Sequence, residues 1–189
     1  MILARFQTVG RDLFTGGLVA SCSGNLSVRL GSKLLITRRG SMLNGLQEDD
    51  LIETGVYKNS RATPLASSEL PVHRAIYQQT QAQAIVHAHP PHAITLSLGE
   101  KEVVPHNPEA MSTIGRVPVL GWDTEVMPGA LADEIASAIR DHPVVLVRGH
   151  GSFAIGQLLE EAYSLTTFLE ESCQILYLLK SIKTGTAGS

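Results

Sequence analysis

The apolar and polar positions from about Leu3 to Phe14 predict a helix, closed by Gly16-Gly17, since glycine adopts the left-handed backbone that ends helices. Asn25 to Leu30 and Lys33 to Thr37 predict two strands around the turn Gly31-Ser32. A helix with a serine cap is expected from Ser67 to Gln79, with Pro71 tolerated because first-turn amides have no helical acceptor. Ala84 to His89 predicts a short apolar strand stopped by Pro90-Pro91. Ala130 to Arg140 predicts another helix, and Pro143 to Arg148 a buried strand. The last helix is expected from about Gln157 to Lys180, with Leu158, Ala162, Leu165, Leu169, Leu176 and Leu179 on its apolar stripe. Glu160, Glu161, Glu170 and Glu171 lie mostly off that stripe. The tail from Thr184 onward is expected to fray. Helices and strands that alternate through short links predict an α/β or α+β domain around one sheet. No linker interrupts the pattern, so one domain over residues 1–189 is expected.

Charge narrows the partners. Lys plus Arg number 15 and Asp plus Glu 18, a net charge of −3 that predicts no nucleic-acid partner. No run reaches the ~20 apolar residues of a membrane helix, so no membrane partner is expected. The charged fraction, 17%, lies below the ~25% of ordinary soluble domains, which points to surface covered by further copies of the chain. The two cysteines, Cys22 and Cys173, form no paired framework, so a reducing cytoplasmic setting is expected.

The histidines change the picture most. In His87-Ala88-His89 two side chains two apart on a strand share a face, so both imidazoles can reach one ion. His150 follows the next buried strand, between Gly149 and Gly151, which let the backbone approach another group closely. Three histidines with an open position suit a catalytic zinc ion. On residue types alone, His-x-His is equally a polar strand end, and His73, His92, His106 and His142 make a chance triplet an open alternative. Glu69 begins the helix after Ser67-Ser68. It is either a first-turn carboxylate favoured by the helix dipole or a proton-transfer group. His73, one turn on, can orient that carboxylate or fill a core contact. Ser23-Gly24-Asn25, Gly40-Ser41 and Ser67-Ser68 fit an anion cradle or ordinary turns, and Arg38-Arg39 fits either reading.

Taken in order, Ser23-Gly24-Asn25-Leu26-Ser27-Val28-Arg29, Ser67-Ser68-Glu69, His87-Ala88-His89-Pro90 and Gly149-His150-Gly151 resemble the class II aldolase/adducin family over residues 5 to 180. The resemblance implies an α/β/α layered fold, a mostly antiparallel sheet with helices on both faces. It implies zinc, or another divalent metal, held by His87, His89 and His150, with Glu69 as the catalytic proton carrier. It implies a substrate phosphate bound by Gly24, Asn25, Gly40, Ser67 and Ser68. The activity it implies is reversible retro-aldol cleavage of a ketose 1-phosphate, of the fuculose 1-phosphate kind, to dihydroxyacetone phosphate and an aldehyde. Dehydration of a ketose phosphate such as methylthioribulose 1-phosphate, epimerisation, and an adducin-like binding role are the alternatives. A cyclic homotetramer with sites at subunit interfaces is also implied.

The chain departs from the family pattern at three places. Ser112-Thr113 stands where the aldolases carry a His-Tyr pair whose tyrosine, from a neighbouring subunit, is an acid. Thr37-Arg38-Arg39-Gly40 replaces Thr-Pro-Thr/Ser-Gly, and no long tail follows the last helix. His106 is the nearest candidate for a substitute acid.

Overall fold

β1 (Asn25–Leu30) and β2 (Lys33–Thr37) form the expected hairpin, with Gly31 at φ +63°, and β3 (Leu51–Gly55) extends it. The structure, a computed structural model, describes residues 2–122 and 128–186. The other strands are β4 (Ala84–Ala88), β5 (Glu102–Val103), β6 (Val117–Leu120), β7 (Val144–Val147) and β8 (Gly151–Gly156). Among the described residues all eight strands join one sheet in the order β3-β2-β1-β4-β8-β7-β6-β5. Every pairing is antiparallel except β6 with β7. This is the mostly antiparallel sheet with helices on both faces that the resemblance implies.

Each face of the sheet has its own core. On one, Ile36, Ile85, Val145 and Phe153 meet α2 (Leu70–Gln79) and α5 (Ala132–Ala138) through Val72, Ile76 and Ile135. On the other, Leu26, Val86, Leu146 and Ala154 meet α1 (Ile2–Thr15), α3 (Pro91–Ser97), α4 (Pro108–Ile114) and α6 (Leu159–Thr186). The period of two explains the division: Val86 and Ala88 face the second core, while Ile85 and His87 face the first. α1 ends as expected, since Gly17 adopts φ +68° and Leu18 donates its amide to Leu13 O at 2.9 Å, a Schellman closure.

Several boundaries differ from the sequence pattern. α2 begins at Leu70 with Glu69 at its N-cap, so Ser67 is no helix cap. Instead Ser67 Oγ accepts the Glu69 amide at 3.2 Å and closes a turn ahead of the helix. β4 stops at Ala88, one residue before His89, because the chain then bends and His89 donates its amide to Leu18 O, outside the ladder. α5 is shorter than expected, being preceded by a 3₁₀ turn at Pro128–Leu131. The buried stripe of α6 runs through Leu159, Ala162, Leu169 and Cys173; Leu158 and Leu179 are exposed. The sequence pattern does not predict the strands β3, β5, β6 and β8 or the helices α3 and α4. The end of the tail, residues 187–189, lies outside the described residues.

Candidate metal and anion site

His87 occupies the middle of the sheet, paired with Asn25 on β1 and Phe153 on β8. It is fully buried, and its Nδ1–H donates to the Ser152 carbonyl at 2.9 Å. That bond fixes the tautomer and leaves the Nε2 lone pair free, as a ligating imidazole requires. The His89 ring returns from beyond the strand end to place its Nε2 3.0 Å from His87 Nε2. His150 sits in the three-residue turn between β7 and β8, where Gly149 adopts φ +65°. Gly151 is required next to it, because a Cβ there would collide with the Ala88 carbonyl oxygen. His150, His87 and Phe153 form a ring stack, with centroids 4.9 and 4.2 Å apart and planes within 19° of parallel.

One ligand nitrogen from each of His87, His89 and His150 lies within 4.8 Å of the others. Glu69 is buried, and its Oε1 is 3.5 Å from His150 Nε2. Its Oε2 and the His150 Nε2 are both buried without a hydrogen-bond partner. Buried carboxylate and imidazole atoms left unpaired cost free energy, so the site is arranged for something further. A divalent ion fits this donor set: three imidazoles supply nitrogen, and one coordination position is left for oxygen. Protonation does not oppose it. Burial, and then the neighbouring His89 and His150, hold the His87 imidazole well below its usual pKa. Burial and then His150 push His89 down to about 4. Both rings are therefore neutral near pH 7, the form that binds metal.

A cavity of about 290 Å³ opens over the three histidines and Glu69. Its walls include Gly24, Asn25, Gly40, Ser67 and Ser68, so the residues assigned from sequence to metal, phosphate and the Glu69 proton transfer lie around one space. Gly24 is required for two reasons: it adopts φ +75°, and a Cβ would stand 2.9 Å from the His87 carbonyl oxygen. Arg38 and Arg39 also line the cavity, which favours the anion-binding reading of that turn. Cys22 lines it too, although the sequence offered only its failure to pair with Cys173.

Other residues fall elsewhere. His73 does not orient Glu69: its Nδ1 is 2.6 Å from Ser27 Oγ, which also contacts Tyr77 Oη at 2.7 Å. It fills the core contact instead, beneath Phe153. Within the chain, the Ser112 and Thr113 hydroxyls both donate to the Glu109 carbonyl, and His106 lines a separate cleft beside Leu176. None of the three borders the histidine cavity.

A mixed sheet that presents three converging imidazoles and a buried carboxylate beneath hydroxyl-lined turns has the design of an aldolase-type lyase. The chain belongs to the class II aldolase/adducin family: residues 4–177 match the family described as Class II Aldolase and Adducin N-terminal domain, and the chain is an enzyme of that type. An L-fuculose phosphate aldolase of Methanocaldococcus jannaschii is 30% identical over 95% of this chain and 97% of its own length. A 3-oxo-tetronate 4-phosphate decarboxylase of Escherichia coli is 28% identical over 95% and 89%. Among solved structures, the L-fuculose-1-phosphate aldolase of Thermus thermophilus superposes with a TM-score of 0.90, at 38% identity, over 96% of both chains.

The buried histidines predict how stability follows pH. Burial lowers His73 to about 3, against 6.5 in an unfolded chain. Above pH 6.5 it is neutral in both states and contributes no pH dependence. Below 6.5 the unfolded chain takes up a proton that the folded chain refuses, so stability falls from there down to about pH 3. The slope from His73 alone is about 1 kcal/mol per pH unit, and His87 and His89 act in the same direction when no metal is bound. Urea midpoints of chelator-treated protein should therefore drop steadily from pH 6.5 to 5. A flat profile would contradict the burial of these rings.

Proposed function

We propose that the chain is a zinc-dependent sugar-phosphate lyase that cleaves a ketose 1-phosphate reversibly to dihydroxyacetone phosphate and an aldehyde. The observation that carries this reading is the unpaired Glu69 carboxylate oxygen beside three converging imidazole nitrogens, at the floor of a cavity walled by glycine- and serine-bearing turns.

Retro-aldol cleavage takes a proton from a hydroxyl, breaks the carbon–carbon bond and leaves an enediolate that must be protonated at carbon. His87, His89 and His150 would hold the ion, which when bound supplies positive charge against the developing enediolate. Among the described residues Glu69 is the only carboxylate lining the cavity; protonated from solvent, it would give the carbon its proton, while the hydroxyl proton leaves to water. Gly24, Asn25, Gly40, Ser67 and Ser68, helped by the charge of Arg38 and Arg39, would hold the phosphate and so fix the reacting carbons over Glu69. The active form we propose is a cytoplasmic homotetramer with sites at subunit interfaces. Exposed Tyr177, Leu178 and Ile182 near the end of α6 support self-association. Light scattering should give a tetramer mass, and a monomer at all concentrations would refute it.

Replacing His89 with Ala should remove nearly all bound zinc while leaving helix content unchanged. Elemental analysis that finds the full zinc content in this variant would dismiss His89 as a ligand. Glu69→Gln should keep the fold and most of the metal while turnover drops by ~10²-fold or more. Undiminished turnover would exclude Glu69 as the proton carrier.

A second reading, dehydration of a ketose phosphate, is favoured by one observation. Ser112 and Thr113 stand where the family tyrosine is expected, and both hydroxyls are turned to the Glu109 carbonyl. In a dehydration one carboxylate can take the carbon-bound proton and return it to the departing hydroxyl, with no second acid. Loss of a general acid costs ~10²–10⁴-fold, so cleavage of fuculose 1-phosphate should be slow or indiscriminate. A panel of ketose 1-phosphates incubated with the zinc-loaded protein separates the readings by their products. Fast, stereospecific cleavage of fuculose 1-phosphate, retained in His106→Ala, would show that no such acid is needed here.

A further inference from the structure

Two of the three metal-competent histidines, unlike His87 within β4, stand on turns that β-sheet pairing alone does not lock. His89 lies one residue past the end of β4, and His150 lies in the turn between β7 and β8. One short helix touches both turns. α3 begins at Pro91, two residues after His89, and at its other end Ser97 Oγ accepts the Gly149 amide at 2.9 Å, next to His150. Leu98, just past the helix, packs against the same Gly149.

A seven-residue helix does not hold itself in place in water. Its N-cap is Pro90, which gives no side-chain cap, so its first amides need an acceptor from elsewhere. Glu170, on α6, supplies it. Its Oε1 accepts the His92 amide at 3.1 Å and the His92 Nδ1–H at 2.7 Å, while its Oε2 accepts the Ala93 amide at 3.1 Å. The Glu170 side chain is 14% exposed, so these bonds are only weakly screened by solvent. The His92 ring also rests on Tyr177, two helical turns further along α6.

We propose that Glu170 is a positioning residue for the metal centre, acting through α3 to hold the His89 and His150 turns at ligand separation. It touches neither metal nor substrate. The inference rests on the three histidines being ligands, and it assigns to α6 a part in the site that its sequence does not suggest. Groups that orient ligands from behind typically govern metal affinity by ~10–100-fold. Glu170→Gln keeps the size of the side chain but removes one of the two acceptor oxygens, so one α3 amide loses its partner.

Cobalt(II) is the probe, since its visible absorption reports the geometry of the ligand set, and its affinity can be measured by competition with a chelator. Wild type, Glu170→Gln, Ser97→Ala and the control Glu160→Gln are compared. Glu160 also lies on α6 but pairs with Arg5 at 3.6 Å, away from α3. The expected result is ~10-fold or greater loss of cobalt affinity and an altered visible spectrum in Glu170→Gln, with circular dichroism unchanged. Ser97→Ala should shift the same two readouts to a smaller degree. The double variant should lose less than the product of the two single losses, because both act through one helix. Glu160→Gln should match wild type. Wild-type affinity and spectrum in Glu170→Gln would overturn the inference while leaving the ligands intact. If Glu170→Gln does not fold, Ser97→Ala alone decides: an unchanged spectrum and affinity there overturn it equally. Failure of the wild type itself to bind cobalt would overturn the metal reading, and this inference with it.

Discussion

A buried imidazole needs a partner for each nitrogen or it destabilises the fold around it. His87 meets this constraint at the centre of the sheet by donating from Nδ1 to the Ser152 carbonyl, which directs its other nitrogen into the cavity. The rest of the site follows from that placement. β4 must lie between β1 and β8, so that Asn25 and Phe153 flank the ring on one face. Phe153 then stacks on it from below and His150 from above. Gly24 and Gly151 are the positions where neighbouring backbone passes close enough to β4 that no side chain fits.

The sheet also sorts polar from apolar. Its second face is filled almost entirely by aliphatic side chains, and it contributes rigidity. The first face carries two buried polar groups among aliphatic neighbours: the metal-competent cluster at the strand ends, and Ser27, His73 and Tyr77 deeper in. Burial in that setting keeps His73 neutral and raises the Tyr77 hydroxyl well above its usual range, so this inner trio is held uncharged. It ties α2 to β1 just behind Glu69, which leaves the carboxylate at the helix N-cap facing the cavity.

The site motifs are legible because their residue types are rare in combination, and the cavity gathers every residue they assign to metal, proton transfer or phosphate. The pair His87-Ala88-His89 is legible as chemistry but not as geometry. Strand periodicity puts both rings on one strand face, whereas His89 reaches the site from beyond the strand end. β8 is hidden because Gly151-Ser152-Phe153-Ala154-Ile155-Gly156 is bounded by glycines that look like breakers; the first is there to let Ala88 approach. α3 is hidden because Pro90-Pro91 reads as a stop, though proline is equally at home in a first helical turn. The bonds of Glu170 cannot be read from sequence at all, since two of its three donors are backbone amides far away along the chain.

Those separations bear on how the molecule is made. The bond that orients His87 joins residues 65 apart, and the one that anchors α3 joins residues 78 apart. Contacts of such range form late, because the chain entropy lost in closing them is recovered only when both ends are in place. During synthesis the stretch that contains His87 and His89 leaves the ribosome long before either His150 or α6 exists. Until then two of the three metal-competent histidines stand on an unfinished sheet without the last one. An ion held by these residues would therefore be no template for the nascent chain, since their arrangement depends on the final helix docking.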